Sequence, residues 1–400
     1  MLRLALLSLL LIVVWISILP VIMPNRHRTP YSDDELRNKA LSRSIRSIPG
    51  DFTKLKKLYK DSNISMTKEH VSLGRELFFD TNLSSDTTQS CASCHMLTKN
   101  AQSKSQFLQD ITHPQSKTDC MVCHIQDESG SDRLAYATGA EGNTDPYLRN
   151  TLTILNASLA KYQLWDASSK SIQKTTKQML QTAYIMNISK EVVVERVLQN
   201  PHYKKEFEKL FRDGVTFDNI VKALVSYQQT LVTRSAYDAF LDGNNSAMSD
   251  EAKRGLRNFI ELGCKGCHTG VTVGGQTFQK FPVRDYNYII NVTGRYDPNY
   301  IGRRLASFEF NFKEHHDFPF ENRGHFMGAK AERVFRVPIL RNVTKTSPYF
   351  HNGAVFDLRE AIYIMGKYQL SMELSEQQID EIVAFFKALE ANPVDYKELR

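Results

Sequence analysis

Cysteine is scarce in this chain, six in 400 residues, which excludes a disulfide-dense miniprotein. Charge of one sign is also lacking. The 51 Lys and Arg nearly balance 44 Asp and Glu, and the excess of +7 is a solvated face rather than a nucleic-acid signature. Long apolar stretches are absent but for one. With 42% hydrophobic and 24% charged residues, the composition excludes a disordered, collagen-like or polytopic membrane protein. What remains is an ordinary globular chain, long enough for two or three domains.

The one long apolar run is Leu4 to Met23, broken only by Ser8, Ser17 and Pro20. As a helix it would rise about 30 Å, enough to cross a bilayer. A cleaved signal peptide is the rival reading, but the run ends Leu19-Pro20-Val21-Ile22-Met23-Pro24-Asn25, without small residues at a cleavage site. The expectation is an uncleaved transmembrane helix over 1–24. A polar, basic arm over 25–65 follows, carrying Lys54, Lys56, Lys57 and Lys60. Arg3 precedes the run and Arg26 and Arg28 follow it, so the positive-inside rule points inward, against the cysteine chemistry.

All six cysteines fall in one pattern used three times: Cys91-Ala-Ser-Cys94-His95, Cys120-Met-Val-Cys123-His124 and Cys264-Lys-Gly-Cys267-His268. C-x-x-C-H is the c-type haem attachment signature. Two thiols at this spacing reach the two vinyl-derived carbons on one porphyrin edge, and the adjoining histidine ligates the iron. A zinc site would need two pairs converging on one metal and no histidine after each. A redox dithiol would need one pair. Three motifs that consume every cysteine therefore predict three covalent haems c. Such attachment is completed outside the cytoplasm, so the anchor would run outward and the bulk of the chain would lie in the periplasm.

Two parts of the chain echo each other. Gly74-Arg-Glu-Leu-Phe78 precedes Cys91, and Gly255-Leu-Arg-Asn-Phe259 precedes Cys264. Arg149-Asn150 before Trp165-Asp166 is matched by Arg341-Asn342 before Phe356-Asp357. These pairs predict a duplicated haem domain. The predicted boundaries are 66–240, with a haem-bearing insertion at about 96–147, and 241–400. Ser249 ahead of Asp250-Glu251 predicts a capped helix running into Cys264. Ser375 and Gln378 form a capping box, and Ile379, Ile382, Val383 and Phe386 follow at helical spacing. Strand patterns are few; 270–279 and 286–295 are candidates for short hairpins or loops. The fold class is mainly α, two cytochrome c-like domains in tandem.

At these residues the chain resembles the bacterial di-haem cytochrome c peroxidase family, which also contains the enzyme that matures the tryptophan-derived cofactor of methylamine dehydrogenase. The resemblance covers about residues 66–391. It is carried by Leu-Gly-Arg-Glu-Leu-Phe-Phe-Asp at 73–80, Leu83-Ser84, Arg149-Asn150, Leu155-Asn156-Ala157, Trp165-Asp166, and the run from Leu340 to Leu358 leading to Ala361-Ile-Tyr-Ile-Met-Gly366. The resemblance implies a carboxy-terminal haem ligated by His268 and Met365, serving as a high-potential electron store. It implies peroxide binding at the His95 haem and Trp165 between the two haems. It also implies a calcium ion held by Asn156, Thr346 and Pro348, oxygen-only ligation that suits calcium.

Three departures stand out. One is the third haem motif. The family's catalytic glutamate falls at Ile185, within Gln181-Thr-Ala-Tyr-Ile-Met-Asn187, although Gln181 matches a neighbouring active-site glutamine. Isoleucine cannot do general acid–base work. The distal histidine normally sits in a Gly-His stretch shortly before Arg-Asn, yet no histidine lies between His124 and Arg149. His113 is the candidate for that role, and a surface residue or a ligand of the middle haem are its other readings. For the middle haem, Met96, His70 and His113 are candidates as sixth ligand. His315 and His316 are surface residues, since adjacent side chains diverge.

The leading expectation is a membrane-anchored enzyme that reduces hydrogen peroxide to water. Its electrons would come from a small cytochrome c, a cupredoxin or the quinol pool. One alternative is peroxide-driven oxidation of a protein or organic substrate by a high-valent haem. The other is a pure electron-transfer cytochrome, which Ile185 favours. A homodimer is left open.

Overall fold

The computed structural model describes residues 31–59, 63–97, 129–282, 324 and 326–399. The run from Leu4 to Met23 lies outside them, as do Cys120, Cys123, His124, His113, His315, His316 and residues 286–295. Among the described residues, no helix is long and apolar enough to cross a membrane.

The fold is mainly helical. In chain order the helices are α1 (Asp33–Leu41), α2 (Phe52–Lys56), α3 (Lys68–Phe79), α4 (Cys91–Cys94), α5 (Ile172–Gln181), α6 (Lys190–Gln199), α7 (Pro201–Leu210), α8 (Phe217–Gln228), α9 (Ala236–Leu241), α10 (Asp250–Glu261), α11 (Leu358–Ile364) and α12 (Glu376–Lys387). Ser249 caps α10 by accepting from Ala252 N, and Ser375 and Gln378 cap α12 reciprocally. Both caps are the ones the sequence predicts. The only described strands are β1 (Phe278–Lys280) and β2 (Val334–Arg336), antiparallel with Phe278 opposite Arg336. The segment 270–279, expected as a hairpin or loop, is turn and loop through 277 and forms no local hairpin. Its end pairs with a strand far along the chain, a long-range choice that local alternation does not encode.

Two cores repeat one design. In the first, α3 packs on α8; in the second, α10 packs on α12. A Cβ on Gly74 would fall inside the Ala223 carbonyl oxygen and reach Tyr227. A Cβ on Gly255 would fall inside the Glu381 carbonyl oxygen and reach Phe385. Each helix pair thus touches backbone to backbone, and only glycine permits that approach. Phe78 and Phe259, four residues on, are buried beside Tyr227 and Phe385, with ring centroids 5.2 Å apart in both cases.

The repeat is real, but its register differs from the one the Arg-Asn pairs predict. Asn156 and Asn342 both adopt left-handed backbone (φ 62° and 60°) and open a 3-10 turn. Asn156 clamps Thr233 just beyond α8, accepting from its backbone N at 2.9 Å. Asn342 clamps Ala391 just beyond α12, with backbone bonds of 2.9 Å in both directions. The bridges Gln163–Ser169 and Tyr349–Val355 then fall in step. In this register Trp165 is matched by His351, not by Phe356, and Leu155 by Arg341. The two Arg-Asn pairs are not equivalent.

The segment after residue 30, expected as a tether or arm with some helix, carries helix in α1 and α2 and is packed against the domains. Leu36, Ala40 and Ile45 are buried in the second core, and Ile48, Phe52 and Leu55 pack with Met66, Val232 and Tyr396. Lys54, Lys56 and Lys57 are exposed, while Leu36, Ala40, Phe52 and Leu55, spaced for two short helices, are covered. Within the insertion expected at about 96–147, Ser129, Ser131 and Asp132 are buried, and Ser129 and Ser131 bond Thr153 and Thr151.

Candidate functional site

In the first domain α4 is a single turn that presents Cys91 and Cys94. Ser90 N bonds Ser93 Oγ at 3.1 Å, and His95 N closes on the Cys91 carbonyl at 2.9 Å. His95 Nδ1 lies 3.0 Å from the Gly130 carbonyl. A donor at Nδ1 leaves Nε2 as a free lone pair, the tautomer a metal-bound imidazole needs. Burial pushes the His95 pKa down, opposed by that carbonyl. Gly130 is itself fixed, with its N bonded to the Met96 carbonyl and its own carbonyl taking Ile154 N.

In the second domain Gly263, at φ 100°, turns the chain into a 3-10 turn over Cys264–Gly266. His268 N then closes on Cys264 O at 3.1 Å. Burial pushes the His268 ring down to about 4, opposed by the carbonyls of Val273 and Pro338. Its buried Nδ1 meets no partner at hydrogen-bond geometry among the described residues. A neutral, polar ring in an apolar wall is what a haem-iron ligand requires. The cavity it faces is lined by Cys264, Cys267, Phe259, Met365, Ile382 and Phe386, among others. Met365 stands where α11 gives way to a π-helical turn, Met365–Gln369, which re-aims the side chains that follow. None of the four described cysteines is paired in a disulfide. The donor set and the apolar walls fit a covalent haem at His268, and the cysteine turn and neutral imidazole fit one at His95.

Trp165 and His351, partners in the repeat, meet in the wall of the same cavity. Trp165 is buried and donates its indole N–H to the Asn150 carbonyl at 2.8 Å. Asn150 N in turn bonds the His351 carbonyl at 2.8 Å. The two rings are edge to face at 6.4 Å, and His351 stacks on Phe335 at 4.2 Å. Burial pushes His351 down to about 4, with Arg333 adding to the effect. Sequence reasoning missed His351, whose signal was the repeat once correctly registered. It also missed Asp132, a buried carboxyl beside Cys94 whose pKa burial raises to about 6. Nothing local marks Asp132 out from the other acidic residues.

The remaining candidates are dispersed. Gln181 lies exposed at the end of α5. Ile185 is half-buried against the first core, and its carbonyl accepts from Ala140 N at 2.6 Å. Gly139 packs on the carbonyls of Tyr184 and Ile185, too close for any Cβ. The Gly139-Ala140 turn before Arg149 thus carries no histidine. His70 is occupied at the cap of α3 by Thr67 Oγ1, 2.9 Å from its Nδ1. Met96 is half-buried just after His95. Asn156 is fully buried with both ends of its carboxamide on Thr233, while Thr346 and Pro348 lie along the cavity wall.

A duplicated helical scaffold with a cysteine-cysteine-histidine turn in each half defines a tandem c-type cytochrome. The di-haem cytochrome c peroxidase model matches residues 68–118 and 107–246. A cytochrome c551 peroxidase of Nitrosomonas europaea is 30% identical over 82% of this chain and 81% of its own length. A cytochrome c551 peroxidase of Pseudomonas aeruginosa is 28% identical over 90% and 88%. The crystal structure of a MauG-like protein associated with microbial copper homeostasis shares the fold, with a TM-score of 0.59 and 21% identity over 85% of this chain and 95% of that one. The chain belongs to the di-haem cytochrome c peroxidase family.

Proposed function

We propose that this protein is an oxidoreductase that reduces hydrogen peroxide to water in the periplasm. Its electrons would come from a small cytochrome c, a cupredoxin or the quinol pool. The observation that carries this reading is the apolar cavity that joins His268 and Met365 to Trp165 and His351. The haems supply the electron storage and the iron at which the peroxide bond is broken. This chain's residues supply the rest. Cys264, Cys267 and His268 hold one haem, with Met365 as a soft ligand that favours the ferrous state. Cys91, Cys94 and His95 hold another. Trp165 is locked between the halves by Asn150 and gives a rigid aromatic bridge. Cys120, Cys123 and His124 would add a third haem for electron entry, and the Leu4–Met23 run would tie the protein to the inner membrane. A calcium ion at Asn156, Thr346 and Pro348 belongs to the same reading, as does Gln181 near the peroxide.

The test is stoichiometric peroxide addition to the fully reduced protein, followed by haem spectroscopy. One equivalent should oxidise two haem equivalents. No oxidation at one equivalent overturns the assignment.

A second reading, electron transfer without peroxide chemistry, is favoured by Ile185, which leaves no acid–base group at that position. Cyanide separates the two readings, because a peroxidase must offer it an openable haem. Restoring the missing group by Ile185→Glu should raise peroxide turnover by about 10²-fold or more. An unchanged rate would mean that another group moves the proton.

A further inference from the structure

The register of the repeat is set by features that involve no haem ligand. One constant shift carries Asn156 onto Asn342, the bridge Gln163–Ser169 onto Tyr349–Val355, and the left-handed Leu164 onto Phe350. It also carries the α5 cap, Ser171 accepting from Lys174 N, onto the α11 cap, Asp357 accepting from Glu360 N. Applied along the helix, it sets Ile172, Thr175 and Thr176 on Leu358, Ala361 and Ile362, and all three of the latter line the haem cavity. The next residue on that stripe of α11 is Met365. The next on α5 is Met179, half-buried and spaced three and four residues from Thr176 and Thr175.

We propose that Met179 is the distal iron ligand of the haem carried by Cys91, Cys94 and His95. The proposal rests on the family reading for the presence of that haem, and on the repeat for the ligand. It explains how this domain manages without a histidine in the Gly139-Ala140 turn. That turn is pinned to the Ile185 carbonyl, and alanine has no donor atom. A thioether on neutral imidazole-bound iron is a weak, soft ligand. A small ligand would displace it without a loop having to swing away.

The full-length protein with all haems attached decides the matter. Mass spectrometry of the Cys91–Cys94 peptide first reports whether haem is there. In Met179→Leu the far-red thioether-to-ferric-iron band should lose about half its intensity, and a high-spin signal should appear. Met365→Leu should remove the rest of the band and lower the potential of the other haem. Met179→His should return the site to low spin at a lower potential. Unchanged spectra and potentials in Met179→Leu, with haem intact, overturn the ligand assignment and leave the family reading standing. A bare Cys91–Cys94 peptide overturns both.

Discussion

The two halves of this molecule share a scaffold and differ in what lines it. In the second half, Ala361, Ile362 and Phe386 form an apolar wall around His268. In the first half, the counterparts are Thr175, Thr176 and Gln228, and Thr176 Oγ1 bonds Gln228 Oε1 at 3.2 Å. An apolar wall excludes water and keeps other ligands from the metal, which suits electron storage. A wall with hydroxyl and amide groups can orient a polar guest and pass protons, which suits peroxide. The duplication supplied one frame, and the residues at these equivalent positions differ in polarity between its copies.

The halves also differ in how the post-cysteine loop is tied down. At the position of Leu155 in the first half, the second has Arg341, fully buried. Its guanidinium grips Asp238 at 2.7 and 2.8 Å and donates to Val271 O at 2.7 Å. Asp238 also takes Ile48 N and both donors of Ser235, so one network ties the amino-terminal segment to α9 and the cavity loop. Arg341→Leu would make the second half imitate the first, but it would leave Asp238 buried and unpaired. The expected cost is about 3–5 kcal/mol, read from denaturant unfolding of the haem-loaded protein. Adding Asp238→Asn should recover part of it. Stability indifferent to Arg341→Leu would show that the network is incidental.

The same pair sets a pH dependence. Burial raises the Asp238 carboxyl, but Arg341 and the hydrogen bonds outweigh it, so the folded value lies below the ordinary one. A depressed folded pKa means that the stabilisation is complete above the unfolded value of about 3.9 and is lost as pH falls through the folded value. In Arg341→Leu the acid transition should begin at higher pH. An acid transition at the same pH in both proteins would place the acid lability elsewhere.

Much of this division was legible in the sequence. The C-x-x-C-H runs named the cofactor, because their chemistry is local and complete within five residues. Gly74/Phe78 and Gly255/Phe259 announced the duplication, because a glycine and an aromatic on one helical turn have few other uses. The register was not legible. It depends on the left-handed backbone of Asn156 and Asn342 and on which carbonyls they clamp beyond α8 and α12. The Arg-Asn pairs are closer matches by eye, and they misled. His351 and Asp132 escaped for a related reason: burial alone gives them their character, and the residues that bury them lie far off in the chain.

The smallest predicted effect tests the equality of the two frames. Gly74→Ala and Gly255→Ala each drive a methyl into a backbone carbonyl of the partner helix, and backbone cannot step aside as a flexible side chain would. Each should cost about 1–3 kcal/mol, through separation of α3 from α8 or of α10 from α12. Because the offending atoms are equivalent, the two costs should agree within about 0.5 kcal/mol. Circular dichroism through a denaturant titration measures both. A tolerated Gly74→Ala beside a damaging Gly255→Ala would mean that the first helix pair can slide where the second cannot, and that the two frames are not equally rigid.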